Sequence, residues 1–246
     1  MKWIYLSPHL DDVVYSCGGL MWEQVQTGIQ VEIWTVCAGN VEDQLSPYAQ
    51  SLHTRWQTGP EAVAVRRTED LEACRKLGVA ATHLDIPDCI YRRLPDSGAP
   101  VVERDEDLFS PLKVGEVYLV KELADRLEAS IPLHTSLVCP LAVGGHMDHR
   151  LTRMAAESLN RPLWFYADFP YVLREGEAPA HYGITHCEPG HFQITEAALA
   201  AWQEGVAAYR TQISTFWGGT EEMKTAIHDY WLRPNSRLLW HCSQVA

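Results

Sequence analysis

Two short segments of this sequence contain side chains that are typical ligands of metal ions. Residues 7–12 read SPHLDD, and residues 144–149 read GGHMDH. Imidazoles and carboxylates both bind a borderline ion such as zinc. His9 and Asp12, three residues apart, together with one imidazole of the second segment, can supply three ligands and leave a fourth position for water. That ligand count is typical of a catalytic rather than a structural zinc site.

The same segments contain polar groups that such a metal site does not use. Hydrolysis needs a carboxylate that takes a proton from water, and a second group that stabilises the oxyanion or protonates the leaving amine. Each segment alone has an ordinary explanation, because a histidine at a strand end is commonly a surface residue and Asp pairs often cap helices. The presence of both segments favours a metal-dependent hydrolase.

The predicted elements place both segments at one edge of a sheet. Apolar and β-branched runs predict five strands, at residues 2–7, 30–37, 82–86, 136–140 and 163–166. Amphipathic patterns predict helices at residues 16–27, 61–77, 115–129, 148–160 and 195–209. This alternation predicts an α/β fold with a mostly parallel sheet and helices on its faces. Each candidate segment follows a strand and opens a helix, at the edge where such sheets bind ligands.

Three long irregular stretches follow strand ends, at residues 38–60, 87–114 and 168–190. Loops of this length in a compact domain are usually functional, so we expect them to surround the site. The aromatic residues in them that are candidates for substrate contact are Tyr48, Trp56, Tyr91, Tyr171 and Tyr182. Two histidines in the same loops, His53 and His186, are weaker candidates.

The length and charge of the chain restrict its class. A chain of 246 residues suits one α/β core, so we expect residues 1–246 to form a single domain. The 32 acidic side chains exceed the 20 basic ones and give a formal charge of −12, which argues against a nucleic-acid partner and favours a neutral or cationic ligand. Its apolar runs are too short for a signal peptide or a membrane span, so we expect a cytoplasmic protein.

The cysteines and three absent motifs exclude other classes of site. The seven cysteines are scattered and include no Cys-x-x-Cys, so we expect reduced core residues rather than disulfides or a thiolate zinc site. The sequence contains no Gly-x-Gly-x-x-Gly, no Gly-x-x-x-x-Gly-Lys-Ser/Thr and no Gly-x-Ser-x-Gly. The α/β pattern therefore does not imply NAD, a P-loop nucleotide or a serine nucleophile.

Both segments resemble motifs of the LmbE/PIG-L-like zinc-dependent deacetylases, which remove the acetyl group from N-acetylglucosamine units of small conjugates or glycolipids. Residues 7–12 resemble (Ala/Ser)-(Pro/His)-His-Pro-Asp-Asp, and residues 146–149 resemble His-Pro-Asp-His. Further similarities lie between them, in RRTE at 66–69, LGV at 77–79 and PD at 87–88. The resemblance covers residues 2–167 and implies a Rossmann-like three-layer sandwich, with residues 168–246 forming loops and C-terminal elements.

The resemblance implies a role for each polar residue of the first segment. His9, Asp12 and His149 resemble the metal ligands, with Zn²⁺ as the expected ion and Fe²⁺ as an alternative for the same ligands. Asp11 falls at the position of the general base that takes a proton from water. The catalytic carboxylate and the metal would therefore lie side by side.

Four more residues are matched by the resemblance. His146 falls at the position that stabilises the oxyanion or protonates the departing amine, and we expect it to act in its protonated form. Asp148 resembles the carboxylate that orients and charges His146. Arg66 and Asp88 match positions that contact the sugar in relatives. Leu10 and Met147 replace the prolines usual in the two motifs, and Val13 replaces a common Glu, so we expect some loss of turn rigidity.

The sequence as a whole predicts a hydrolase that removes acetyl from a small N-acetylated amino-sugar conjugate, with metal-activated water. One alternative is a related amidase for another N-acyl group, on a glycopeptide or a glycolipid. Others are a ferrous oxygenase and a non-catalytic protein that binds a metal or a sugar. The exact sugar, its aglycone, the metal and whether the chain forms homo-oligomers stay open.

Overall fold

The structure is a computed structural model and describes residues 1–41, 44–176, 179–184, 187–233 and 238–243. His186, one of the two weaker candidates, lies outside the described residues. In the described ranges, no helix is long and apolar enough to cross a membrane.

A seven-stranded sheet forms the centre of the described fold. Its strands are β1 Lys2–Ser7, β2 Gln30–Thr35, β3 Ala80–His83, β4 Ser136–Pro140, β5 Leu163–Tyr166, β6 Cys187–His191 and β7 Leu238–Cys242. They lie in the order β3-β2-β1-β4-β5-β7-β6. The first five are parallel, whereas β7 is antiparallel to both β5 and β6. The predicted α/β fold with a mostly parallel sheet is confirmed.

Helices cover both sides of this sheet. They are α1 Asp12–Gln26, α2 Pro47–Trp56, α3 Ala62–Leu77, α4 Tyr118–Ser130, α5 Met147–Glu157, α6 Val172–Glu175, α7 Glu196–Val206, α8 Ile213–Phe216 and α9 Thr220–Trp231. Helix α7 packs on α1 and α3, and α4 packs on α5. The main core lies between these layers and the sheet, since the strands bury apolar runs such as Ile4 to Leu6.

The close approach of α1 and α7 fixes the helix that follows the first candidate segment. A Cβ atom on Gly18 would lie 2.4 Å from Cδ1 of Trp202, so a glycine is needed where the two helices cross. The indole Nε1 of Trp202 also donates to the carbonyl of Val14 at 2.8 Å. This contact holds the first turns of α1, which begins at Asp12, in a fixed position against the core.

The expectation that the cysteines are reduced is correct for five of them and wrong for two. Cys187 and Cys242 form a disulfide between β6 and β7, where the antiparallel register places them opposite each other. The remaining five are buried free thiols. The two cysteines are 55 residues apart in the sequence, and this spacing gives no indication that they pair. The pairing follows from the register of β6 against β7.

Candidate active site

The two candidate segments meet at the carboxyl edge of the sheet, where the strand order changes direction. β1 has β2 on one side and β4 on the other. Residues 7–12 leave the end of β1, and residues 141–149 leave the end of β4. Such a switch point leaves a crevice between the two loops. Side chains from both segments line one cavity there.

Hydrogen bonds of Ser7 hold the first segment in a tight turn. The Ser7 hydroxyl donates to the carbonyl of His9 at 2.6 Å and accepts the backbone N–H of Val13 at 3.1 Å. The backbone N–H of His9 donates to Oδ2 of Asp12 at 2.8 Å. Leu10, which replaces the usual proline, is buried against the fold. Hydrogen bonds to side chains and the burial of Leu10 therefore stabilise this turn, although it lacks the usual proline.

The three residues expected to bind a metal come together around one carboxylate oxygen. Oδ2 of Asp12 lies 3.0 Å from Nδ1 of His9 and 3.3 Å from Nε2 of His149. The donor atoms of a tetrahedral zinc ion, with bonds of about 2.0 to 2.2 Å, are about 3.3 Å apart. Both measured distances to Oδ2 of Asp12 are close to this separation.

A buried carboxylate holds the second ring nitrogen of each of these imidazoles. Nε2 of His9 lies 3.0 Å from Oδ2 of Asp148, and Nδ1 of His149 lies 2.6 Å from Oδ1 of Asp168. Asp168 also accepts the backbone N–H of Val143 at 2.9 Å. Carboxylates in this position orient metal-binding imidazoles and raise their basicity. The donor set and its supporting shell therefore fit a divalent cation.

Asp168 was not identified from the sequence. Asp168 lies just after the end of β5, which is the neighbour of β4 in the sheet. Like the two candidate segments after β1 and β4, it is a polar residue at the carboxyl edge of the sheet, and this position was the signal that could have identified it. The two residues that follow it, a Phe and a Pro, give no indication of a site. Only the pairing of β4 with β5 brings this carboxylate to His149.

Other groupings of potential ligands exist in the described part of the chain. The ring nitrogens of His9, His146 and His149 lie within 4.8 Å of one another. Two further groupings with ligand atoms within 4.8 Å of one another contain a thiol: Cys37 with His9 and Asp148, and Cys89 with His146 and Asp148. Burial raises the pKa of both thiols well above the usual value, which keeps them uncharged, whereas the thiolate is the metal-binding form. The two groupings that contain a thiol are therefore weaker cation sites than the Asp12-centred set.

The charges around His9, Asp12 and His149 favour the binding of positive charge between them. Burial acts to raise the pKa of Asp12 and to lower that of His149, but the attraction between them is stronger. The pKa of Asp12 is held well below its usual range, and that of His149 is raised to about 10. The pKa of His9 is also raised, because Asp88, Asp12 and Asp148 outweigh the effect of its burial. Without a cation the carboxylates retain protons on both imidazoles, and a divalent ion must displace them.

Asp11 lies beside this set and has the electrostatics of a general base. Burial, followed by the charge of Asp12, raises the pKa of Asp11 to about 7, and the charge of Arg66 partly opposes the rise. Its Oδ1 lies 3.8 Å from Nη2 of Arg66, and its side chain lines the cavity. A carboxylate with a pKa near the working pH can take up and release a proton in one reaction cycle.

The surroundings of His146 disfavour its protonated form, which was the form expected from the sequence. Burial and then the charges of His9 and His149 hold its pKa well below the usual value. Nδ1 of His146 accepts the backbone N–H of Asp148 at 3.2 Å, so the ring proton belongs on Nε2. In this structure the Asp148 carboxylate contacts His9 rather than His146, and the role expected for it toward His146 stays a prediction.

Asp148 belongs to a row of buried charges that extends away from the cavity. Its Oδ1 lies 2.7 Å from Nη2 of Arg92, and Nε of Arg92 donates to Oε1 of Glu116 at 2.5 Å. The backbone N–H of Cys89 donates to Oδ2 of Asp148 at 3.0 Å. Arg92 and Glu116 were not identified from the sequence. They neutralise and fix the carboxylate that contacts His9.

Arg66 and Asp88, expected to contact a sugar, lie next to each other in the cavity wall. Nη1 of Arg66 is 3.5 Å from Oδ2 of Asp88, and its guanidinium carbon is 5.0 Å from the ring centre of Trp56. Both side chains line the same cavity as the three expected metal ligands. The structure therefore brings together seven of the eight candidate site residues in that cavity, with Asp148 directly behind His9.

The cavity has a volume of about 120 Å³. Three of the five loop aromatics line it: Tyr48, Trp56 and Tyr171. Tyr91 instead hydrogen-bonds Nε2 of His53 at 2.7 Å, and the hydroxyl of Tyr182 donates to the carbonyl of Gly176 at 2.8 Å. The C-terminal part contributes three lining residues that the sequence did not indicate: Gln212, Thr215 and Phe216.

The fold is an α/β sandwich with a mostly parallel sheet, and its site is a potential centre for a divalent ion. Residues 4–160 match the sequence profile of the PIG-L family, described as GlcNAc-PI de-N-acetylase. The chain belongs to this family.

Individual relatives extend the similarity over nearly the whole chain. The 2'-N-acetylparomamine deacetylase of Niallia circulans is 29% identical, with 96% of this chain and 89% of that protein aligned. The enzyme of the same name from Streptomyces fradiae is 31% identical, over 69% of this chain and 57% of that protein. The crystal structure of the zinc inhibited form of the teicoplanin deacetylase Orf2 covers 98% of this chain and 97% of its own, with 28% identity and a TM-score of 0.81.

Proposed function

We propose that this protein hydrolyses the acetamide of an N-acetylated amino-sugar conjugate and releases acetate and a free amine. One observation carries the proposal. A carboxylate oxygen of Asp12 meets two imidazoles at 3.0 and 3.3 Å, and Asp11 and His146 line the same cavity. Deacetylases of N-acetyl sugar conjugates among the relatives support the substrate class.

His9, Asp12 and His149 would hold the metal ion, and zinc is the ion we propose. When bound, such an ion polarises the acetamide carbonyl and lowers the pKa of water. Ferrous iron suits the same ligands. One structural neighbour is a zinc inhibited form, so activity is best measured over a range of zinc concentrations.

Asp11 would act as the general base and then as the acid. Its raised pKa lets it accept a proton from the attacking water at neutral pH. The same proton can pass from Asp11 to the nitrogen of the leaving amine as the C–N bond breaks. Arg66, at 3.8 Å, keeps the carboxylate in position without pairing tightly with it.

His146 would stabilise the oxyanion that forms on the substrate. Because its Nδ1 accepts a backbone hydrogen bond, its Nε2–H is the donor available to the cavity. A fixed donor aimed at developing negative charge contributes about 2.7 to 4 kcal/mol of transition-state stabilisation in known enzymes. Arg66 and Asp88 would contact hydroxyl groups of the sugar from the cavity wall.

The test is acetate release from a panel of N-acetylated amino-sugar conjugates, with chelator-treated protein reloaded with zinc or ferrous iron. We expect release with at least one conjugate, and a loss of at least about 100-fold in kcat for Asp11→Asn. Asp125→Asn, which changes an exposed carboxylate on α4, serves as the matched control and keeps full activity. Full metal-dependent activity in Asp11→Ala or His149→Ala would overturn these roles. Binding of conjugates without any release would favour a non-catalytic protein.

The proposal leaves three sequence-based expectations as predictions. These are a single domain over residues 1–246, a cytoplasmic location and the open question of whether the chain forms homo-oligomers. Size measurement of the purified protein and its localisation by fractionation test the last two.

A further inference from the structure

A second, larger groove opens directly from the active-site cavity. It has a volume of about 760 Å³ and runs between the loop before α4 and helices α8 and α9. Six residues line both spaces: Arg55, Asp105, Leu108, Tyr171, Thr215 and Phe216. A ligand whose acetamide lies in the cavity therefore has a continuous path into this groove.

Aromatic rings form a continuous wall along that path. The ring of Tyr171 lies 6.0 Å from His149 and 5.7 Å from Phe216, and Phe216 lies 5.6 Å from Trp217. Phe109 faces Tyr171 at 6.2 Å from the other side. The rings meet at angles of 57° to 89°, close to the edge-to-face arrangement that packed aromatic rings favour. Trp217 is itself buried and supports the wall from behind.

Part of this wall is apolar surface that the fold itself does not bury. Phe109 is 42% exposed and Leu173 is 36% exposed, and both line the groove. Seven of the fifteen residues that line the groove are polar or charged. Two of them are engaged within the fold, since Asp105 receives a hydrogen bond from Tyr48 and Glu222 receives one from the backbone of Gly218. Apolar surface next to polar groups suits a small molecule that carries both.

We propose that this groove binds the aglycone of the substrate, and that the aglycone presents a flat, aryl-like apolar face. This inference rests on the proposed function, because it takes the acetamide to be held in the cavity of about 120 Å³ beside Asp11. That cavity is too small for a whole conjugate, so the remainder must extend into the adjoining space. The aromatic wall there favours an aryl group over a purely polar one.

The experiment measures binding without turnover, in the Asp11→Asn background, by calorimetry. The probes are the methyl and 4-nitrophenyl glycosides of N-acetylglucosamine and the disaccharide N,N'-diacetylchitobiose. We expect the aryl glycoside to bind roughly 10-fold more tightly than the other two, from burial of one ring. Phe109→Ser and Leu173→Ser should each reduce this ratio. Leu133→Ser is the matched control, since Leu133 is 87% exposed just before β4, outside the groove, and should keep the ratio.

Equal binding of all three probes, or a ratio that survives both groove substitutions, overturns the inference. Tighter binding of the disaccharide also overturns it and assigns the groove to a sugar. Turnover by the wild-type protein is read separately. If the aryl glycoside binds through Phe109 but no probe releases acetate, the groove assignment stands and the proposed deacetylation fails.

Discussion

Arg92→Met tests how much of the site depends on the buried charges behind it. The Arg92 guanidinium contacts Glu116 at 2.5 Å, Asp148 at 2.7 Å and the carbonyl of Pro87 at 3.1 Å. The side chains of all three charged residues are at most 7% exposed. Methionine fills much of the same volume but removes the counter-charge of Glu116 and leaves Asp148 with His9 as its positive neighbour.

The expected loss follows from that burial. Removing one partner of a buried ion pair costs about 3 to 5 kcal/mol of unfolding free energy, because the remaining charge stays desolvated. We therefore expect Arg92→Met to lose at least about 3 kcal/mol, a large part of the 5 to 15 kcal/mol typical of a folded domain. Arg92→Lys keeps the charge but not the forked geometry, and should lose less.

Urea unfolding of the metal-free protein, followed by circular dichroism, measures this loss. Arg104→Met is the matched control, since the side chain of Arg104 is 73% exposed, and should change stability by less than about 0.5 kcal/mol. The double variant Arg92→Met, Glu116→Gln removes opposite charges together and should lose less than the sum of the single variants. A loss below about 1 kcal/mol in Arg92→Met would refute the reasoning.

Three further predictions concern other parts of the structure. Asp168→Asn should weaken metal binding by about 10- to 100-fold in a chelator competition assay, and unchanged affinity would contradict its role behind His149. Gly18→Ala should lower the melting temperature, because its Cβ would clash with Trp202, at a cost of about 1 to 3 kcal/mol. Burial acts to raise the pKa of Glu32, but hydrogen bonds from Lys2 and Thr82 lower it overall. Its stabilising effect is therefore present at neutral pH and is lost as the pH falls through the lowered pKa, so Glu32→Gln should be less stable than wild type at pH 7, and the difference should disappear once the pH is below that pKa.

The strands at the centre of the parallel part of the sheet could be predicted because they are short runs of buried, largely apolar residues. β1, β4 and β5 lie at the predicted bounds for this reason. Strand β6 was missed because CEPGH contains a proline and a glycine and only pairs at the sheet edge. Helix α2 was missed because its apolar side chains pack on a small second core, away from the sheet. Its Ser46 cap and Pro47 start were the available signals.

The part of the candidate site that could be predicted consists of polar residues that lie close together in one segment of the sequence. His9, Asp11 and Asp12 are neighbours in the chain, so their type and order indicate a site directly. Arg92 and Arg93 are also neighbours, yet one is buried behind the site and the other contacts backbone carbonyls at the surface. Nothing in their sequence context separates them, because the distinction arises from how the loop packs.

Stoichiometric metal titration of chelator-treated protein, with acetate release as the readout, tests the central claim most directly. The substrate is the N-acetylated conjugate that the wild-type protein turns over fastest in the panel. We expect no release before metal is added, a rise that ends at about one ion per chain, and no rise in His149→Ala, which lacks one of the three ligands. Full release from the metal-free protein, or an unchanged rise in His149→Ala, would contradict the account.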